Sequence, residues 1–273
     1  MKSFVPRLDR LEGRETPASL VLNGNTLTYL GDGQSHTVTF TDDGAGNVTG
    51  KLDNNAPVVG SGVGNIQVFS LAGGSDKITD TLTKARVASE TMTVAVGSGT
   101  TVTANFQPGT QSGNFRFLDN RSGNTGKNTI KLGAVAAGAS EFVMVNNLFS
   151  SGALCLSRTG NIAGSATDLD FSMQSTNSTT VSYTGTVTGT YRADTFGMMS
   201  SGSYTMKVNI GSGSTGQVSV GEVGSTTGGD KLTLSVTDNS NGSAAVSAFA
   251  LSTQQNIDNG NVITTKNVNV LKY

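Results

Sequence analysis

The chain contains no tryptophan, one cysteine and one histidine in 273 residues, and each shortage excludes a class of chemistry. A lone Cys155 cannot form an intramolecular disulfide, a CxxC redox pair or a thiolate zinc cage. A lone His36 removes histidine-cluster metal sites and leaves any serine or cysteine triad a single base. Charge is scarce too, at 14% of residues with a formal net charge of -1. There is no cluster of Lys and Arg of the kind that releases counterions from a nucleic-acid backbone, and no polybasic segment that would hold an anionic membrane. No apolar run approaches the roughly 18 residues of a membrane-spanning helix. The nearest is the short Leu132-Gly133-Ala134-Val135-Ala136-Ala137 segment.

What is present is turn-forming and β-branched. Thirty-six glycines accompany abundant Ser, Thr, Asn and Val, while proline occurs four times. Branched side chains fit a pleated strand and lose rotamer freedom in a helix, and glycine supplies the turns between strands. The length exceeds a usual compact domain and suits one elongated β unit. Strands are expected to include Thr26 to Leu30, His36 to Phe40, Asn128 to Leu132, Thr179 to Tyr191 and Asn261 to Leu271. Their centres recur at roughly 10 to 15 residues, the spacing of multi-stranded β folds. The expected architecture is all-β, a parallel β-solenoid, with an antiparallel β-sandwich or an irregular barrel as the alternative.

Three segments suggest a degenerate repeat: Gly74-Ser75-Asp76-Lys77-Ile78-Thr79, Gly126-Lys127-Asn128-Thr129-Ile130-Lys131 and Gly229-Asp230-Lys231-Leu232-Thr233. Each passes from glycine through Asp or Asn into a strand, as at a solenoid corner where a side-chain oxygen caps backbone amides. They resemble the calcium-binding repeats of β-rolls but are not in tandem at nine-residue spacing. Asp42-Asp43-Gly44-Ala45-Gly46-Asn47 likewise sets two carboxylates beside glycines. Calcium needs six or more oxygens, and about one Asp per rung is offered. Asp42, Asp43, Asp76 and Asp230 are thus the metal candidates, calcium the only cofactor to weigh, and structural turn use the preferred reading.

Catalytic signals are sparse. Asp168-Leu169-Asp170 sets two carboxylates on one strand face roughly 6 to 7 Å apart, which overlaps the separation in inverting glycosidases. The preferred reading is an outward polar face with Leu169 and Phe171 inward. Cys155, in Gly152-Ala153-Leu154-Cys155-Leu156, is expected in the core as a small hydrophobe, and His36 as a solvent-facing strand residue. Gly211-Ser212-Gly213-Ser214-Thr215-Gly216 matches GxGxxG, but a strand beginning at Gln217 follows where a dinucleotide site needs a helix. Gly126-Lys127 lacks the leading glycine and the hydroxyl residue of a P-loop. No catalytic or cofactor-binding residue is assigned.

Composition shifts near residue 18. Residues 1–18 hold seven of the charged residues and two of the prolines and form a leader, ahead of a repetitive body over 19–273. Charged residues interrupt any apolar stretch there, so it is not an ordinary signal peptide. Phe4-Val5-Pro6-Arg7-Leu8-Asp9-Arg10-Leu11-Glu12-Gly13-Arg14-Glu15-Thr16-Pro17-Ala18 resembles the leader F-x-P-R-L-x-x-L-E-x-R-x-x-P-A of planctomycete exported and surface proteins, whose bodies are also Gly/Asn/Thr-rich and β-rich. The resemblance implies an extracellular or envelope location and carries no activity. The expected function is a non-catalytic structural or adhesive protein with envelope or matrix polysaccharide or protein as partner, and with neither nucleic acid nor a transmembrane segment. The alternatives are a carbohydrate-active β-helix enzyme using Asp168 and Asp170, or a glycan-binding β module.

Overall fold

A computed structural model describes residues 17–70, 76–82, 90–96, 101–106, 113–118, 128–147, 154–172, 178–197, 203–223, 231–251, 262–266 and 269–272. Their elements are β1 (Ser19–Asn23), β2 (Thr26–Leu30), β3 (Thr37–Asp42), β4 (Val48–Leu52), β5 (Val58–Gly60), β6 (Asn65–Ser70), β7 (Lys77–Leu82), β8 (Glu90–Val96), β9 (Thr101–Phe106), β10 (Gly113–Leu118) and β11 (Asn128–Leu132). They continue as β12 (Ser140–Asn147), β13 (Leu154–Thr159), β14 (Ser165–Ser172), β15 (Ser178–Gly185), β16 (Thr190–Gly197), β17 (Ser203–Ile210), β18 (Gln217–Val223), β19 (Lys231–Asp238), β20 (Ala245–Leu251), β21 (Val262–Lys266) and β22 (Asn269–Lys272). No helix occurs among the described residues.

The strands form two 11-stranded sheets. The first runs β1-β2-β6-β8-β10-β12-β14-β16-β18-β20-β22, the second β21-β19-β17-β15-β13-β11-β9-β7-β3-β4-β5. From β6 onward the chain alternates between sheets, and each new strand lies parallel to the preceding strand of its own sheet. This is a parallel β-solenoid with two strands per turn, not a sandwich of antiparallel sheets or a barrel. Val143, Asp168, Ala193, Val220 and Ala248 share one row across the first sheet. Residues in such a row lie about 25 to 28 positions apart in the chain, a period typical of solenoids.

The core forms because alternate residues of each strand face the opposite sheet. One inward row of the second sheet reads Ile130, Leu156, Val181, Met206 and Leu234, all buried. Leu27, Ile66, Met92, Phe115 and Val143 make the matching row of the first sheet. Each Val, Leu or Phe so buried contributes roughly 1.5–3 kcal/mol. One end is closed by antiparallel strands, β1 on β2 and the β3-β4-β5 meander. Leu20 and Leu22 of β1 pack onto the core there. A Cβ at Gly50 would lie 2.8 Å from Leu20, so the glycine lets the cap approach.

Corner glycines permit tight stacking of the turns. A Cβ on Gly189 would collide with the Gly164 carbonyl oxygen, and one on Gly216 with that of Gly189. Those carbonyls already accept the N–H groups of Thr190 at 2.9 Å and Gln217 at 2.8 Å. The space above each carbonyl is therefore committed to the next rung.

Several expected boundaries change. Thr179 to Tyr191 is two strands in different sheets, β15 and β16, divided at Val187, which forms an isolated parallel bridge with Ile162 of the preceding turn. Asn261 to Leu271 likewise divides into β21 and β22. The three repeat-like segments lead into β7, β11 and β19, all of the second sheet. The middle segment is nonetheless two residues out of step with the third, because Ile130 shares a row with Leu234 whereas Leu232 shares one with Asn128.

Candidate functional site

A cluster of ionisable groups lies inside the solenoid. Arg158 occupies an inward position of β13, between Leu132 and Tyr183 in its row, and is 1% exposed. Its Nε donates to Asp168 Oδ2 at 3.0 Å and its Nη2 to Asp168 Oδ1 at 2.7 Å. Nη2 also pairs with Glu141, and Nη1 donates to the Gly133 carbonyl at 3.0 Å. Burial alone would lower the guanidinium pKa, but the Asp168 and Glu141 carboxylates outweigh it and hold the group firmly charged. Tyr183 and Tyr191 stack beside the cluster with centroids 4.8 Å apart. Burial pushes the Tyr183 phenol up to about 12 and, helped by Asp168, the Tyr191 phenol well above its ordinary value.

This arrangement corrects the reading of Asp168 as part of an outward polar face. Asp168 stands in the inward row between Val143 and Ala193, 2% exposed and clamped by Arg158. A sugar cannot reach it. The backbone of Asp170 registers with Val145 and Thr195, and its side chain lies outside the described residues. Arg158 and Glu141 were not anticipated, although each falls on the apolar phase of its strand, as in Leu154-Cys155-Leu156-Ser157-Arg158. A lone charge on that phase requires a buried partner.

A second network joins the capped end. His36 is not a strand residue; it precedes β3 and is partly buried. Its Nδ1 lies 2.7 Å from Asp53 Oδ2 and its Nε2 3.0 Å from Asp32 Oδ1. Only the imidazolium can donate to both carboxylates at once. The Asp53 bond, reinforced by Asp32, raises the His36 pKa against the opposing effect of burial. Asp32 is pushed down to about 2 by the N–H of Gln34, by His36 and by the N–H of Ala18. Asp53 adopts a left-handed φ of 50° and accepts the Thr37 N–H at 2.8 Å, which lowers its pKa. Asp76, buried behind them, accepts from Tyr29 Oη at 2.8 Å, Ser70 Oγ at 2.6 Å and the His36 N–H at 2.9 Å.

The remaining candidates are turn residues or lie elsewhere. Asp42 and Asp43 begin the β3–β4 hairpin turn, where Asp42 Oδ1 accepts the Gly44 N–H at 2.7 Å and Asp43 Oδ1 the Ala45 N–H at 2.8 Å. Asp43 also accepts from Asn47 Nδ2 at 2.6 Å. Asp230 and Gly126-Lys127 lie outside the described residues, as do residues 1–16 of the leader. Among the described residues no group of three or more His, Cys, Asp and Glu is placed to hold one metal ion. Gly211 to Gly216 joins β17 to β18 with no helix following. Cys155 is not a core residue: it is half-buried in an outward row between Thr129 and Thr180.

An open cleft of about 610 Å³ lies over the starts of β16, β18 and β20, lined by Thr190, Arg192, Gln217, Ser219, Asp238 and Ser247 among others. The outer faces of the two sheets differ. At the described positions the first mixes Thr, Ser, Asn and Gln with exposed Arg116 and Arg192 and partly exposed Phe69, Phe142 and Met144, whereas the second presents Thr and Ser with exposed Lys. No protein-family model, no curated protein and no solved structure matches the chain.

Proposed function

We propose that the chain is a non-catalytic extracellular or cell-surface protein with a structural or adhesive role, exported by way of its N-terminal leader. The observation that carries this reading is the parallel two-sheet solenoid, whose outward rows repeat small hydroxyl-bearing side chains from rung to rung. Such a stack is a stiff display surface, because each turn is bonded along its length to the next. The leader pattern Phe4 to Ala18 adds the expectation of export. Arg158, Asp168 and Glu141 are used against one another in the interior, which suits a stabilising role. The carbohydrate-active alternative rested on Asp168 and Asp170 acting as a pair, and the Asp168 carboxylate is sealed from solvent.

Fractionation of cells, with the termini of the recovered protein identified by mass spectrometry, tests the proposal. Recovery from envelope or medium is expected. Intact protein confined to the cytosol would reject it.

A further inference from the structure

We infer that the outer face of the second sheet is a docking surface for an acidic polysaccharide, a linear glycan bearing carboxylates. This deepens the structural or adhesive reading and rests on it. Thr129, Cys155, Thr180, Thr205 and Thr233 form one outward row across β11 to β19. Beside it runs Lys131, Ser157, Ser182, Lys207 and Ser235, and then Thr159, Thr184, Asn209 and Thr237. Towards the capped end Thr39 registers with Lys51 and Thr79, and Thr37 with Lys77. The four lysines are all exposed.

The charge distribution selects the ligand. Among the described outward positions of this sheet every charged residue is a lysine, in a chain whose net charge is -1. The acids of the same strands, Asp42, Asp80 and Asp238, are buried on the inward side. Asp76, at the start of β7, is committed to Tyr29, Ser70 and His36. The face is therefore a hydroxyl array with cations at intervals, and the exposed carboxylate at its capped edge, Asp53 beside Thr37, is paired with His36. Rungs lie roughly 4.8 Å apart, so Lys131 and Lys207, three rungs apart, stand roughly 14 Å from each other. Serine and threonine hydroxyls at each rung can exchange hydrogen bonds with sugar hydroxyls, threonine methyls pack on the sugar ring, and the spaced ammonium groups meet carboxylates. The wide spacing of single charges on a flat sheet suits an extended glycan. A nucleic-acid backbone calls for a denser cluster of Lys and Arg.

The test is binding of the full-length protein to polygalacturonate, with neutral dextran and duplex DNA as comparison ligands, alongside a Lys131→Glu/Lys207→Glu variant and an Arg116→Glu control. Arg116 is exposed on the first sheet, so its reversal changes charge equally per site on the opposite face. Polygalacturonate should bind, weaken as salt screens the charges, and lose at least about tenfold in affinity in the double-lysine variant but not in the control. Unchanged urea midpoints in both variants establish that folding is intact. Equal losses in both variants, equal binding to dextran, or binding to DNA as tight as to polygalacturonate would each overturn the inference. Absence of acidic-glycan binding by protein recovered from the envelope would overturn it and leave the surface reading standing. A cytosolic location would instead defeat the surface reading.

Discussion

Arg158 and Asp168 join the two sheets through a two-pronged contact, Nε to Oδ2 at 3.0 Å and Nη2 to Oδ1 at 2.7 Å, at a depth where neither side chain meets water. Removing the guanidinium would strand Asp168 and Glu141 in the core. Breaking a buried pair on one side costs about 3–5 kcal/mol. Arg158→Met is therefore expected to lower the unfolding free energy obtained from urea titration by an amount of that order. Combining it with Asp168→Leu and Glu141→Met should restore much of the loss, because no charge is then left unpaired. A single variant as stable as the parent would show that the cluster does not stabilise the stack.

The Asp32–His36–Asp53 chain predicts a bounded pH range for the capped end. The folded pKa of His36 is raised, chiefly by Asp53, so its contribution is complete below the unfolded value of about 6.5 and is lost as pH rises through the folded value. Asp32 is held down to about 2, so its contribution is complete above the unfolded value of about 3.9 and fades as pH falls towards 2. Stability of the β1–β5 cap, followed by amide exchange, should be highest between roughly pH 4 and 6.5. His36→Gln should abolish the alkaline limb and leave most of the acid limb. An unchanged alkaline limb in that variant would assign it to another group.

Gly189 and Gly24 separate two reasons for glycine. Gly24 has a φ of 57° with open space around its missing Cβ, so Gly24→Ala meets only the left-handed backbone penalty, about 1–2 kcal/mol. Gly189→Ala drives a methyl into the carbonyl of the turn beneath, where no flexible side chain can yield. The Gly189 substitution should be the more destabilising by thermal denaturation. The reverse order would mean that the rungs can separate locally at little cost.

Cys155 should react with a water-soluble thiol reagent in the folded protein, because it lies half-buried in an outward row. Titration with and without denaturant measures this. Reaction only after unfolding would restore the core position that its apolar neighbours suggested.

The class of fold was legible because strand formation is local: alternation, β-branching and glycine turns mark a strand wherever its partners lie. Thus β2 and β11 fall at their expected places. The boundary inside Thr179 to Tyr191 was not legible, since Thr186 to Gly189 keeps the composition of a strand while turning the chain from one sheet to the other. Glycines at 160, 185 and 211, and at 164, 189 and 216, carried the signal of the period. It was obscured because one turn contains two strands, which halves the apparent spacing. The cap strands β1, β4 and β5 lack a strong alternating run, and the packing of Leu20 and Leu22 against glycine decides them.

By itself the sequence determined that this protein is built of strands, that it lacks disulfides within the chain, and that it has one histidine to place. Those properties depend on residue identity and on neighbours within a few positions. Tertiary structure alone decided that Asp168 turns inward to Arg158 rather than outward to solvent, and that His36 lies between two carboxylates from separate turns. It also decided that lysines distant in the chain share one face. Strand alternation defines two sides without naming which is inside; only the stacking of one sheet on the other makes that choice.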